Sequence, residues 1–242
     1  SQHKHLQSIN TKHKKSINLY TQQAMIDAKE GNTIKCDNFE DYLKHGYYPF
    51  SKERGFDEKL RQIINLTLEN DIPSFANLPA STGRRLKKLL MVISKSVPFK
   101  PNMSKLAELI DANRNMMPDY FQYIEDAGMI TQLRDNTGGV RGLGKIEKVY
   151  LDNANLIYSL AEGEPNIGNI RETFFINQTR VRNVVTSSDI SDFQIDGRTF
   201  EIGGKSKGMK QIKEANEGYI VKDQIEYSSG NILPLWWFGL NY

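Results

Sequence analysis

Asp192 and Glu201 flank an Asp196-Gly197 pair in the run Ser191-Asp192-Phe193-Gln194-Ile195-Asp196-Gly197-Arg198-Thr199-Phe200-Glu201-Ile202-Gly203-Gly204-Lys205. Asp-Gly between two short apolar runs is a strong two-residue hairpin signal. Antiparallel pairing brings both carboxylates to one side of a sheet. Two such side chains suit a hard divalent cation such as Mg²⁺, which polarises a phosphodiester and activates water. Glu172, on a helix expected before the hairpin, could add a third oxygen. A lysine two residues beyond the second acid would stabilise developing charge. Gly203 holds that position, and the nearest lysine, Lys205, would have to reach back from beyond the strand end. Gln211, opening the next expected helix, could face the same cleft. The candidate catalytic set is therefore Glu172, Asp192, Glu201, Lys205 and Gln211, with Asp192 and Glu201 as metal ligands. The same residues also read as ordinary polar positions of a hairpin, since this spacing often arises by chance.

A second chemistry lies in the distribution of charge. The net charge of +3 is modest, but from Ser81 to Lys105 the basic residues Arg84, Arg85, Lys87, Lys88, Lys95, Lys100 and Lys105 occur with no acid among them. Such a block suits an anionic partner such as nucleic acid, or else forms a solvated helix face. Arg84, Arg85, Lys87, Lys88, Lys105 and Arg114 are the candidate nucleic-acid contacts. Other motifs carry less. Gly142-Leu143-Gly144-Lys145 has Gly139 in the right place for a phosphate loop, but Ile146 follows the lysine. In Gly203-Gly204-Lys205-Ser206, Thr199 replaces the required glycine. Nucleotide binding by these residues is not expected. His3, His5, His13 and His45 lack a partner acidic pattern, and Trp236-Trp237-Phe238 is expected to close a core rather than stack bases.

These groups need a scaffold, and 242 residues with 38% hydrophobic and 25% charged content allow two domains with sizeable cores. The single cysteine, Cys36, excludes an intramolecular disulfide framework and fits a reducing cytoplasm. No apolar run approaches the length of a membrane span. Residues 1–37 read as a polar tail with helical stretches. A short helix over Phe39–His45 stops at Gly46, and another over Asp57–Glu69 is ended or kinked by Ile72-Pro73. Helices follow over 83–94, 103–111 and 115–127, then strands over 129–134 and 145–151 joined by a Gly-rich turn. Three helices and a two-stranded ribbon are the order of a winged helix. The expected third helix, with Asp119, Glu125 and Asp126, is poorly suited to approach phosphates, so backbone contact through the first helix is the expectation. Beyond residue 151, helices over 155–160 and 167–177 precede strands over 181–186, 192–195 and 199–202. A helix over Met209–Ala215, a strand over 219–221 and a last strand near Trp236 complete a small mixed-sheet α/β unit.

Several segments together resemble one family. Phe39-Glu40-Asp41-Tyr42-Leu43, Gly46-Tyr47-Tyr48-Pro49 and Leu68-Glu69-Asn70-Asp71-Ile72-Pro73-Ser74 resemble the region after the ATPase core of AAA-family, archaeal-type prokaryotic ATPases. Val97-Pro98-Phe99-Lys100-Pro101-Asn102, Ser104-Lys105-Leu106-Ala107 and Tyr123-Ile124-Glu125-Asp126-Ala127-Gly128-Met129-Ile130 resemble that family's winged helix. Lys148-Val149-Tyr150-Leu151-Asp152 and Ile170-Arg171-Glu172-Thr173-Phe174-Phe175 resemble the start of its C-terminal domain, which is similar to PD-(D/E)xK nucleases. The resemblance spans residues 39–242. It implies an α+β or α/β chain with a helical linker over 1–80, a winged helix over 81–151 and a restriction-endonuclease-like mixed-sheet domain over 152–242. It matches Glu172 to the first-helix acid and Asp192 and Glu201 to the strand acids. Gly203 departs from the Glu-Val-Lys that many relatives carry. The family's ATP site would lie upstream of residue 1, so ATP and ATPase activity belong to an implied longer protein.

Three functions remain open on this basis. One is a regulatory, DNA-binding half of an ATPase with a degenerate nuclease-like domain, its partner being the ATPase core. Another is an active Mg²⁺-dependent nuclease using Asp192, Glu201 and Lys205. The third is a protein-interaction scaffold that touches no nucleic acid. Each is compatible with an oligomer in the cytoplasm and none implies a membrane.

Overall fold

The computed structural model describes residues 36–137, 144–208, 210 and 212–240. The tail before residue 36, with His3, His5 and His13, lies outside them, as do most of the Gly-rich turn and Gln211. Helices and one seven-stranded mixed sheet make up the described chain, an α+β architecture.

The helical half begins with α1 (Cys36–Asp41), continued by a π turn over Tyr42–Gly46. Next come α2 (Phe56–Leu66), a second π segment over Thr67–Asp71 and α3 (Ile72–Phe75). The expected stop at Ile72-Pro73 is thus a change of helix. Proline sits in the first turn of α3, where a backbone N–H needs no partner. The long α4 (Ala80–Ser96) buries Leu86, Leu89, Leu90 and Ile93, the stripe that its 3-4 spacing anticipates. It crosses the second π segment closely: a Cβ on Gly83 would lie 2.8 Å from Glu69 Cα, so only glycine fits without a shift. Asn102 caps α5 (Met103–Leu109) by accepting from the Lys105 N–H. A 3₁₀ turn over Arg114–Met116 then leads into α6 (Met117–Asp126).

The sheet runs through both halves of the chain. Strands β1 (Ile130–Arg134) and β2 (Ile146–Leu151) form an antiparallel ribbon. After α7 (Ala154–Leu160) and α8 (Ile167–Thr179) come β3 (Val185–Ser187), β4 (Phe193–Ile195), β5 (Arg198–Gly203), β6 (Gly218–Lys222) and β7 (Ile232–Pro234). The strand order is β2-β1-β3-β4-β5-β6-β7, so the ribbon and the C-terminal strands share one sheet. The join is narrow: β1 meets β3 in parallel at Arg134 and Thr186 alone. On the C-terminal side, Phe175 of α8 packs on Phe193, Phe200 and Phe238, with centroids 5.1, 5.4 and 4.7 Å away. Tyr150 of β2 reaches the same cluster through Phe193.

Some expected elements differ. Val181 lies outside β3, which starts at Val185. The helix expected over Met209–Ala215 falls partly outside the described residues, and 212–214 form a turn. No strand runs through Trp236. A 3₁₀ segment over Leu235–Leu240 follows β7, with Leu235 fully buried and Phe238 against the phenylalanine cluster, whereas Trp236 is half-buried and Trp237 exposed, so only Phe238 of the aromatic run helps to close the core. Among the described residues no helix is long and apolar enough to cross a membrane.

Candidate functional site

Hairpin chemistry places the two strand acids. Asp196 and Gly197 both have positive φ, 49° and 80°, the pattern a two-residue type I′ turn requires. That turn sets the register Ile195↔Arg198, Gln194↔Thr199 and Phe193↔Phe200. One further step puts Asp192 opposite Glu201. The Asp192 carboxylate accepts from the Ile202 N–H at 2.9 Å. Glu172, midway along α8, faces the same region, and one ammonium joins it to the hairpin: Lys148 Nζ of β2 lies 3.3 Å from Glu172 Oε2 and 3.5 Å from Asp192 Oδ1. The Tyr150 hydroxyl donates to Glu172 Oε2 at 2.8 Å. Glu172 and Asp192 therefore share one ammonium, with Glu201 opposite Asp192 on the next strand.

The lysine is different from the one expected. Lys205 is exposed, and among the described residues its side chain has no carboxylate partner; its carbonyl accepts from Lys222 Nζ. The lysine beside the second acid is instead Lys207. A turn closed by the Lys207 N–H and the Gly204 carbonyl reverses the chain, and Lys207 Nζ pairs with Glu201 Oε1. The Lys207 stem lies across Gly203, where an added Cβ would be 2.6 Å from its Cβ and Cγ. The glycine that removed one lysine makes room for another. Spacing could not show this, because the turn over 204–207 sets the reach. Gln211, the remaining member of the expected set, lies outside the described residues.

Burial sharpens the electrostatics. Glu201 is 2% exposed, and its other oxygen accepts from Ser191 Oγ at 2.5 Å. Removal from water, then the nearby Glu172 charge, pushes the Asp192 carboxyl up to about 6, against the opposing pull of the Ile202 N–H and Lys148. Burial and the Glu172 carboxylate raise the Tyr150 hydroxyl well above its ordinary value, keeping it a neutral donor. As placed, this set does not fit a divalent ion. No three acidic, histidine or cysteine side chains among the described residues lie close enough to hold one. Both oxygens of Asp192 and both of Glu201 already have partners within the chain.

The basic candidates are arranged differently. Arg84, Arg85 and Lys88 line a shallow recess with Ser81, Ile110 and Asp111, between α4 and the end of α5. Lys88 faces Asp111 at 3.5 Å and Lys87 faces Glu69 at 3.4 Å, both pairs open to water. Lys95 and Lys100 are drawn onto Glu162 and Glu147. Among the described residues Arg84, Arg85, Lys105 and Arg114 carry no ion pair. Lys105 and Arg114 stand on α5 and the following 3₁₀ turn, and neither lines the recess. His45 pairs with Asp41 at 3.1 Å and its ring meets Phe56 edge-on, so it does not join an acidic site.

A buried polar knot that no local motif announces lies at the far ends of β2 and α8. Asp152 pairs with Arg180, and its carbonyl accepts from Asn177 Nδ2 at 2.8 Å. Asn155 spans to the first π turn, donating to the Leu43 carbonyl at 2.7 Å and accepting from the Tyr47 N–H at 2.9 Å. Residues 42–48 are thereby fixed to the core that carries Glu172.

Neither a curated protein nor a solved structure matches the chain. Residues 36–174 match the family model for a domain of unknown function (DUF8612), and as this is more than half of the 242 residues, the chain belongs to that family.

Proposed function

We propose that the chain is the C-terminal region of an AAA-family, archaeal-type ATPase, where it binds nucleic acid through the α4 face and carries a nuclease-like half that does not cleave. The ATPase assignment rests on the resemblance over residues 39–242, and ATP would be bound by the parent's core. The order α4, α5, α6, β1, β2 supports a winged-helix reading of the first half. A helix bearing Glu172 ahead of a hairpin bearing Asp192 and Glu201 supports a PD-(D/E)xK-like reading of the second.

One observation carries the non-cleaving part: the strand acids are answered from within, with Lys207 and Ser191 on Glu201 and Lys148 and the Ile202 N–H on Asp192. The binding part rests on Arg84 and Arg85, which line the recess without an ion-pair partner among the described residues. Neutralising phosphates releases counterions, so affinity for a DNA duplex should drop steeply between low and moderate salt. Replacing both arginines with alanine should weaken binding about tenfold or more and flatten the salt slope by about two. No binding at low salt would sink the nucleic-acid reading in favour of a protein-interaction scaffold.

A second reading, an active Mg²⁺-dependent nuclease, is favoured by the Lys207 ammonium at Glu201, a cation that position 203 cannot supply. Incubating plasmid with the chain and Mg²⁺ or Mn²⁺, beside Asp192→Ala and Glu201→Ala, separates the two. Cleavage lost in both variants would replace the first reading with the second.

A further inference from the structure

The ribbon joins the rest of the sheet through one step, Arg134 beside Thr186. A single step between parallel strands is a weak fastening for a ribbon whose β2 lies at the sheet edge. Lys148 and Tyr150 alternate onto one face of β2, and both reach acids outside the ribbon. Lys148 touches Glu172 of α8 and Asp192 beside β4, while Tyr150 donates to the same Glu172 oxygen. These three contacts cross 22 to 44 residues of sequence. All the side chains involved are shielded: Glu172 is 19% exposed, Asp192 18% and Lys148 33%. Two acids this close, with water largely excluded, repel each other unless a cation lies between them.

We propose that Lys148, held between Glu172 and Asp192, makes this acidic patch an ion-pair clasp that fastens the β1–β2 ribbon to α8 and β4, in the place where a nuclease would hold a metal. The clasp rests on the non-cleaving reading above and gives the acids a task within it. Lys148 comes from the ribbon and Lys207 from the turn after β5, so each cation anchors a different segment to the acids.

The test is a double-mutant cycle in urea on the whole chain, using Lys148→Met, Glu172→Gln and the pair combined. Methionine keeps the apolar stem, and glutamine keeps an acceptor for Tyr150. Each single change should raise the unfolding constant about fivefold or more, and the combined change should fall short of the product by at least about threefold. Lys148→Arg, which keeps the charge, should stay near the wild type. Calorimetry with Mn²⁺ up to roughly 1 mM, the weak end of protein cation sites, should show no binding by the wild type. Multiplicative single effects would overturn the clasp. So would Mn²⁺ binding that Asp192→Asn abolishes. Metal-dependent plasmid cleavage is a separate readout, so the non-cleaving reading and the clasp fail on different results.

Discussion

The α4 face and the β4–β5 hairpin each gather like charges, and the protein treats them in opposite ways. On α4, Arg84 and Arg85 face a shallow recess without an ion-pair partner among the described residues, and the pairs of Lys87 and Lys88 are long and wet. At the hairpin, Glu201 is buried, Asp192 is shielded, and two lysines, Lys148 from the distant β2 and Lys207 from the turn after β5, pair with them. Exposed pairs of the first kind contribute little, so their charges stay available to an external anion. Buried charges of the second kind must be compensated where they stand. A charged cluster therefore points to an outside partner only when its own chain has left it unanswered.

The sharpest way to break this contrast is to remove the compensation. Lys207→Met should cost about 2–4 kcal/mol in urea unfolding, because a buried carboxylate loses its partner. Adding Glu201→Gln should restore much of that stability. If the single change is silent, Glu201 is not held by Lys207 and the hairpin resembles the α4 face after all. Gly203→Ala probes the same pairing sterically, since the new Cβ would push into the Lys207 stem. A loss of about 1–3 kcal/mol is expected, as for other overpacked sites.

Asp192 gives a smaller, pH-dependent effect. Its carboxyl is held at about 6 in the folded chain, against an ordinary value near 4. Between those values the folded state binds more protons than the unfolded one, so stability falls as pH rises through this window. The wild type should lose about 2 kcal/mol relative to Asp192→Asn between about pH 4 and pH 6. A flat difference would mean that Asp192 is solvated as the α4 charges are. Beside α4, Asp111→Asn, which suits the left-handed backbone at that position, should change stability by no more than about 0.5 kcal/mol. The same change should tighten DNA binding slightly by freeing Lys88, whereas weaker binding would show that Asp111 orders the recess.

Much of the scaffold was legible in the residues. The α4 stripe, the order of three helices and a ribbon, and the hairpin all follow from local signals, and Asp196-Gly197 takes up the turn its chemistry demands. The placing of Asp192 opposite Glu201, on the side that Glu172 faces, was also anticipated. The lysines were not. Lys205 stands two residues from Lys207, the lysine paired with Glu201, because the reach of a side chain after a strand depends on the turn that follows. Lys148 was invisible as a site residue, because nothing local places β2 beside α8 and β4. Pro73 marks a helix boundary, as its chemistry leads one to expect, whereas Trp236 follows a strand rather than lying in one. The basic block promised seven cations, yet Lys95 and Lys100 are spent on Glu162 and Glu147 from other elements.

The most direct measurement is the nicking of supercoiled plasmid by the purified chain in Mg²⁺ and in Mn²⁺, with Asp192→Ala alongside. Acids that are neutralised by Lys148 and Lys207 predict no nicking above that of the variant in either metal. Wild-type nicking that disappears in Asp192→Ala would contradict this and identify the hairpin as a working nuclease centre.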